Sequence, residues 1–475
     1  MGHQRLCGNE FHIRCKKSVS NGIVLGTAVL LDLTIGNFRS VYEPASINMV
    51  ATREQVHRER CPELKRRYGK RVNPVAALFG ANAAGKSTFV RALIVLRHIV
   101  TDPPRPSESM PYDPFKLKPE ADAEPTSFEI LFSVDDVIYE YILRYDAHRV
   151  VAERLTQYRS RDEVDIFERS GDEFYFPLLD KKESVYPTEV AQARALLASV
   201  PEKVPLASFA SEANLSRFPQ ELRLGLFDVV LVFLQTVLVI PAGVIDRSST
   251  MSFSEGWKEV ITQIDAGITG VQAEPVPLSS IGMSAERGKE IDQLLRQYPD
   301  NPIDVELPAG RFTVRLEDGE MSAERISLMH SSGPGQSRAL KWRDESDGTQ
   351  SAARLLGFFS KLASAGTEAV LVVDELDRNF HTELSRALIG GFLANSNENS
   401  RVQLLFTTHD LLLMDPELLR RDEIWVIEKD RFGQTQSSVL SDFKGPRKVT
   451  DLRKSYLNGR FGGVPSIKPL EFPDE

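Results

Sequence analysis

Residues Gly80-Ala81-Asn82-Ala83-Ala84-Gly85-Lys86-Ser87-Thr88 spell a complete phosphate-binding loop. The chemistry needs this order of residue types. Backbone N–H groups of a tight loop and the positive end of the following helix surround phosphate oxygens, and small residues let the backbone approach closely. Lys86 would reach the outer phosphates of a nucleotide, and Ser87 would supply a hydroxyl to magnesium. The ligand set expected from these residues is therefore a nucleotide with Mg2+.

Three later segments add groups that could act on that nucleotide. The apolar run Leu371-Val372-Val373 ends in Asp374-Glu375. Asp374 at a strand end can join the magnesium shell, and Glu375 can orient or deprotonate an attacking water. Ser346-Asp347-Gly348-Thr349-Gln350 forms a small polar turn that opens a helix, a second helix N-terminus suited to anions. Thr407-Thr408-His409-Asp410 follows the apolar strand Val402 to Phe406, and His409 could donate a hydrogen bond to the terminal phosphate.

Regular elements must position these groups. Val75 to Phe79 reads as the strand before the loop, and Thr88 to Val100 as the helix after it. Phe128 to Val134 and Val137 to Tyr145 read as a hairpin around Asp135-Asp136, continued by Val150 to Tyr158 and Val164 to Glu168. The proline-rich stretch Pro103 to Pro125 reads as a loop or lid. Helix-like spacing covers Thr188 to Ser199, Gln220 to Ile240, Ser254 to Ile264 and Ser284 to Gln297. Phe312 to Leu316 and Arg325 to Met329 read as a hairpin around Glu317-Asp318-Gly319. Then come the helix after Gly348, the acidic strand, a helix from His381 to Leu393, the strand before Thr407, a helix from Leu411 to Leu419, and the strand Ile424 to Ile427. The alternation predicts an α/β fold with a mixed or parallel sheet around the loop. Three parts are expected: an N-terminal lobe at 28–180, a compact helical insertion at 181–301 without heptads, and a C-terminal lobe at 302–475.

At 475 residues the chain can bury a full core. A net charge of −9 argues against coating nucleic acid by bulk attraction. Two basic stretches, Arg53 to Arg71 and Lys444 to Arg460, are local candidates for nucleic-acid or partner contact. Three cysteines, Cys7, Cys15 and Cys61, show no metal or disulfide spacing, which fits a reducing cytoplasm, and no secretion signal is expected. The apolar stretch Leu222 to Ile240 is interrupted by Arg223, Asp228 and Gln235, so it reads as a buried or interface helix and not a membrane span.

Loop, polar turn, acidic strand and histidine, in this order, resemble the ABC ATPase clan, and within it the SMC, RecF and OLD branch. Asp374-Glu375-Leu376-Asp377-Arg378-Asn379-Phe380-His381 resembles that branch's acidic-strand pattern, with Leu376 where proline is usual. Ser346 to Gln350 resembles its signature turn, with Thr349 at the second glycine position. Leu31 to Ser40 resembles its opening strand and "NFRS" turn, and Gln157 is the candidate for its Q-loop glutamine. Tyr456-Leu457-Asn458-Gly459-Arg460-Phe461-Gly462-Gly463-Val464-Pro465 is similar to the ending of compact bacterial ATPases of abortive-infection systems.

The resemblance implies a two-lobed ATPase head that works in pairs. Ser346 and Gly348 of one head would cap the terminal phosphate held by Lys86 of the other, with Asp377 and His381 at the seam and Arg39 touching the nucleotide. ATP would join heads and hydrolysis at Glu375, assisted by His409, would loosen them, in dimers or larger homo-oligomers. The sequence continues only to Glu475 after His409, so a nuclease of the kind that follows the ATPase in OLD proteins is expected on a separate chain. The implied role is an anti-phage sensor that holds an effector, of the TOPRIM nuclease type, and releases it when a phage trigger binds. The alternative is a genome-maintenance ATPase that clamps DNA, as RecF-like proteins do; a transporter cassette would need a membrane partner and is disfavoured by the acidic segment and the tail.

Overall fold

The computed structural model describes residues 28–64, 69–159, 162–212, 228–242, 257–264, 267–297, 299, 302–362, 369–443 and 452–464. In chain order the strands and helices begin with β1 (Ala28–Gly36), β2 (Ala45–Asn48), β3 (Val75–Phe79) and α1 (Lys86–Thr101). There follow β4 (Thr126–Val134), β5 (Val137–Tyr145), β6 (Val150–Tyr158), β7 (Glu163–Ser170) and β8 (Glu173–Tyr175). Next are α2 (Pro177–Asp180), α3 (Pro187–Leu197), α4 (Leu206–Glu212), α5 (Asp228–Thr236), β9 (Val237–Ile240), α6 (Trp257–Val260), β10 (Ile268–Val276) and α7 (Ala285–Gln297). The remainder is β11 (Ile303–Leu307), β12 (Gly310–Glu317), β13 (Glu320–Gly333), β14 (Gln336–Leu340), α8 (Asp347–Leu362), β15 (Val370–Val373), α9 (Thr382–Ala394), β16 (Gln403–Thr407), β17 (Ile424–Lys429), β18 (Thr435–Val439) and α10 (Leu452–Leu457).

These residues divide into two units, one of 28–242, 369–377 and 385–464, the other of 257–362 and 378–384. The larger unit holds two sheets. One is mixed, ordered β18-β17-β3-β16-β15-β9, with every pairing parallel except the β17–β18 hairpin. Its central β3 is an unbroken apolar run because parallel neighbours cover it on both edges and both of its faces are buried. The other is antiparallel, ordered β2-β1-β4-β5-β6-β7-β8. Its β4–β5 turn puts Asp135 and Asp136 at φ 52° and 59°, a left-handed pair that aspartate tolerates in tight hairpins. Helix α1 buries Phe89, Val90, Leu93, Leu96 and Val100 at three- and four-residue spacing, in one core with strands of both sheets. The smaller unit is built on the antiparallel sheet β10-β13-β12-β11, with β14 added to the distal half of β13.

The α/β class, the P-loop strand and helix, and both expected hairpins appear as the sequence predicts. Three expectations need correction. The helix read through Ile240 stops at Thr236, and Val237–Ile240 becomes β9, paired in parallel with β15. Three of those four residues are β-branched, which stiffens them toward extended backbone, and the exposed edge of β15 supplies a ladder. The stretch 181–301 is therefore not wholly helical, and β10 is a second strand within it. The expected helix Leu411 to Leu419 is a single 3₁₀ turn, Leu411–Leu413, because Pro416 cannot donate a helical hydrogen bond. Residues 220–227, 254–256 and 444–450, Lys65 to Arg67, Cys7, Cys15 and Pro465, on which other expectations fell, lie outside the described residues. Among the described residues no helix is long and apolar enough to cross a membrane. The apolar α5 is spent on the core, where Phe233 stacks on Phe132 with ring centroids 4.6 Å apart.

A buried amide helps to stitch the two sheets of the larger unit together. Gln403, at the start of β16, accepts from the Leu30 N–H at 2.7 Å and donates to the Leu30 carbonyl at 2.9 Å. Gln403→Ala is expected to strand both backbone groups and to cost about 2 kcal/mol, read as a lower urea midpoint at unchanged slope.

Candidate functional site

The loop between β3 and α1 is shaped by contacts that only glycine permits. Gly80 has φ 158°, and a Cβ there would lie 2.2 Å from the Ile427 carbonyl of β17. Gly85, at φ 109°, precedes α1, and a Cβ would lie 2.0 Å from the Thr435 hydroxyl of β18 and 2.8 Å from that of Ser40. Ala83 sits in the left-handed region at φ 61°, Asn82 is exposed, and Ala84 is buried. The loop therefore folds around its own lysine. Lys86 is 5% exposed, and its ammonium donates to the carbonyls of Gly80 at 2.8 Å and Ala81 at 3.1 Å. Burial pushes this amine down from 10.5 to about 8, against the pull of Asp374, Asp377 and Glu375.

The acidic groups arrive from β15. Ser87 donates to Asp374 Oδ1 at 2.9 Å, and Thr407, the last residue of β16, donates to the same oxygen at 2.6 Å. The Glu375 N–H in turn donates to the Thr407 hydroxyl at 2.7 Å, and the Leu376 N–H to the Thr407 carbonyl at 3.0 Å. One threonine side chain thus holds the carboxylate of Asp374 and the backbone of Glu375. Glu375 has φ 53°, a conformation that costs a non-glycine residue about 1 kcal/mol or more and persists only where neighbours impose it. His409 Nδ1 lies 3.3 Å from the Lys86 ammonium, and its backbone N–H donates to Asp377 at 3.2 Å. Desolvation first, then the nearby Lys86 charge, lower the imidazole's affinity for protons. A neutral ring that accepts at Nδ1 carries its proton on Nε2, the tautomer that can donate to an anion.

The expected site residues fall into two groups. Gly80, Ala84, Gly85, Lys86, Ser87, Asp374, Glu375, Asp377 and His409 converge in the larger unit as the hydrogen bonds above show. Thr88 belongs there too, its hydroxyl 2.8 Å from that of Ser40. Arg39 lies on the adjoining opening turn at φ 54°, with its guanidinium paired to Asp113 at 3.3 Å. Ser346 and Gly348 belong to the smaller unit. Ser346 caps α8 by accepting from the Thr349 N–H at 3.1 Å, and Gly348 lies against the Asn379 carbonyl, where a Cβ would meet it at 2.7 Å. His381 accepts from the Glu383 N–H at 3.3 Å, at the start of α9. Gln157 donates to the Tyr139 hydroxyl at 3.1 Å within the antiparallel sheet.

Sequence reasoning missed three working residues. Thr407 was legible as a polar end to an apolar strand but not as the clamp on both acids. Ser40 and Thr435 join Thr88 in a knot of hydroxyls, in which Thr435 donates to the Ala84 carbonyl at 2.9 Å and lies 2.8 Å from the Ser40 hydroxyl. No local signal marks Thr435, whose partners Ala84 and Ser40 lie 351 and 395 residues earlier in the chain.

The donor set suits a magnesium nucleotide. A serine hydroxyl and an aspartate oxygen adjoin each other, as a hard divalent cation requires, and the ammonium sits inside a cradle of loop backbone that a Cβ would fill. Two outcomes are expected. Thr407→Val should lower ATP turnover by about tenfold or more while changing ATP affinity less, in steady-state kinetics beside equilibrium binding. Lys86 should also recover its proton when a triphosphate replaces its carbonyl partners. In the free chain the amine gives up its proton above pH 8, so binding near pH 9 should take up protons and binding at pH 7 should not, by calorimetry in buffers of different ionisation heat. The burial cost follows the same sign: it is fully present below pH 8, and stability recovers as pH rises toward 10.5, where the unfolded chain binds more protons.

No curated protein matches the chain. Among solved structures, the SMC head domain from Thermotoga maritima is similar over 86% of this chain and 98% of its own, at 14% identity and a TM-score of 0.32. The SMC head bound to the C-winged helix domain of ScpA is similar over 87% of this chain and 99% of its own, at 12% identity and a TM-score of 0.37. Residues 75–415, which run from β3 through the loop and the acids to beyond His409, match the family described as "AAA domain, putative AbiEii toxin, Type IV TA system", and the chain belongs to that family.

Proposed function

We propose that the chain is a magnesium-dependent ATPase that works as an assembly switch in a defence system of the toxin–antitoxin or abortive-infection kind. The observation that carries this reading is the linked set Ser87–Asp374–Thr407–Glu375 beside the buried Lys86. Ser87 and Asp374 would hold the metal, which supplies charge neutralisation to the phosphates. Lys86 would bind the terminal phosphates, and the loop N–H groups would orient them. Glu375, its backbone held by Thr407, would position and deprotonate the attacking water, and neutral His409 would donate from Nε2 to the terminal phosphate.

The partner half of the site is drawn from the clan resemblance. Ser346 and Gly348 of a second copy would cap the phosphate, so that ATP binding joins subunits into a dimer or a larger ring. The family description supports a place in a toxin–antitoxin system, and the clan resemblance adds a cytoplasmic sensor that restrains a separate effector. The tail resembles that of AriA, the ATPase of the PARIS anti-phage system, which makes a TOPRIM-type nuclease the favoured effector and a phage protein the trigger. The DNA-clamp reading draws less support. In the basic stretch, Arg60 donates to the Leu418 carbonyl and Arg71 to the Cys61 carbonyl and Glu63, so both serve the fold.

Glu375→Gln separates these roles. The variant should bind ATP, hydrolyse it at least about a hundredfold more slowly, and accumulate as a larger species by light scattering only when ATP is present. Unchanged turnover would remove Glu375 from the chemistry, and a size indifferent to ATP would remove the switch.

A further inference from the structure

Strand order tells the two ends of the nucleotide apart. In β18-β17-β3-β16-β15, the loop after β3 is flanked on one side by Asp374 and Glu375, after β15, and by His409, after β16. On the other side stands Thr435, the first residue of β18. The groups that would act on a terminal phosphate gather on the first flank. The nucleoside end must then leave over the second, across the hydroxyl knot of Ser40, Thr88 and Thr435.

Large apolar side chains stand exposed just beyond that knot. Phe432 is 61% exposed on the β17–β18 turn, three residues before Thr435. Leu117 is 66% exposed on the segment that packs under the opening turn, where Phe115 donates its N–H to Asn37 and Asp113 pairs with Arg39. Leu117 reaches this turn at Gly433, the neighbour of Phe432, where a Cβ would come within 2.5 Å of Leu117 Cδ1, and the Arg431 guanidinium lies 4.7 Å from the centroid of the Phe432 ring. The turn is held rigid by Asp430, whose carboxylate accepts from the N–H groups of Phe432 and Gln434. Leaving an exposed phenyl ring and an exposed leucine on one turn region in water is unfavourable, and a flat heteroaromatic base is the apolar piece of the ligand whose phosphates the loop holds.

We propose that Phe432 and Leu117 form the ledge on which the nucleotide base stacks, which makes them the residues that distinguish a nucleoside triphosphate from a bare polyphosphate. This rests on the phosphate-loop reading above and adds the half of the ligand that reading leaves unheld. Base stacking on an aromatic ring is commonly strong enough to change affinity about tenfold.

The test compares ATP with inorganic tripolyphosphate on the full chain, by calorimetry with magnesium. The wild-type chain should bind ATP more tightly than tripolyphosphate. Phe432→Ala and Leu117→Ala should each weaken ATP by about tenfold and leave tripolyphosphate unchanged, and Phe432→Tyr should restore ATP binding. Tripolyphosphate binding doubles as proof that the variants are folded. The ledge is overturned if Phe432→Ala keeps full ATP affinity, if both ligands weaken together, or if the wild type binds the two equally. A wild-type chain that binds neither ligand sinks the phosphate-loop reading, and the ledge with it.

Discussion

A buried ammonium sets the terms for the whole site. Lys86 sits where water cannot solvate it, so its charge must be met by the loop's own carbonyls and by the acids across the cradle. The loop must therefore wrap tightly, and tight wrapping brings β17 and β18 so close that only glycine fits at positions 80 and 85. The same need pulls Asp374 and Glu375 toward the loop, and Thr407 ties the carboxylate of the first to the backbone of the second. One oxygen of Asp374 accepts from two hydroxyls, while Glu375 follows on a strained backbone. A lysine with a depressed proton affinity, held among acids and beside a neutral histidine, is a group waiting for an anion.

What the sequence shows and what it hides follow from the range of the interactions. The loop, β3 and α1 are legible because their determinants lie within about twenty residues: an apolar run, small residues, a lysine and a hydroxyl. The hairpins at Asp135-Asp136 and Asp318-Gly319 are legible because turn chemistry is local. Val237–Ile240 is not, because α5 and β9 share one apolar composition and only the free edge of β15, far away in sequence, decides between helix and strand. Thr435 and Gln403 are ordinary polar residues whose importance exists only once Ala84 and Leu30 are beside them. In the Leu411 stretch, periodicity outvoted a proline that was in plain sight.

The ending of the chain carries a motif whose physical content is now plain. After α10, Gly459 turns the chain at φ 71°, and Gly462 and Gly463 follow at φ 75° and 74°. A Cβ at Gly462 would strike the Glu428 carboxylate at 2.5 Å, and the Gly463 N–H donates to that carboxylate at 2.7 Å. Tyr456 closes the wrap by donating to the Gly463 carbonyl at 2.6 Å. Glu428 follows Ile427, whose carbonyl faces Gly80. The glycines of the tail and the first glycine of the phosphate loop therefore grip successive residues of β17.

That arrangement makes the loop dependent on chain far behind it. β17, β18 and the tail lie more than 340 residues after Gly80 in the sequence, yet they form the wall against which the loop is pressed. An isolated N-terminal half would carry every residue of the phosphate-binding motif, but of the surfaces that hold Gly80 and Gly85 it would keep Ser40 and lose Ile427 and Thr435. Long-range closure of this kind carries a large entropic cost before its contacts repay it. The loop should therefore take its shape only after β17 has joined β3, so a nucleotide pocket exists only in a chain that has been made through its tail.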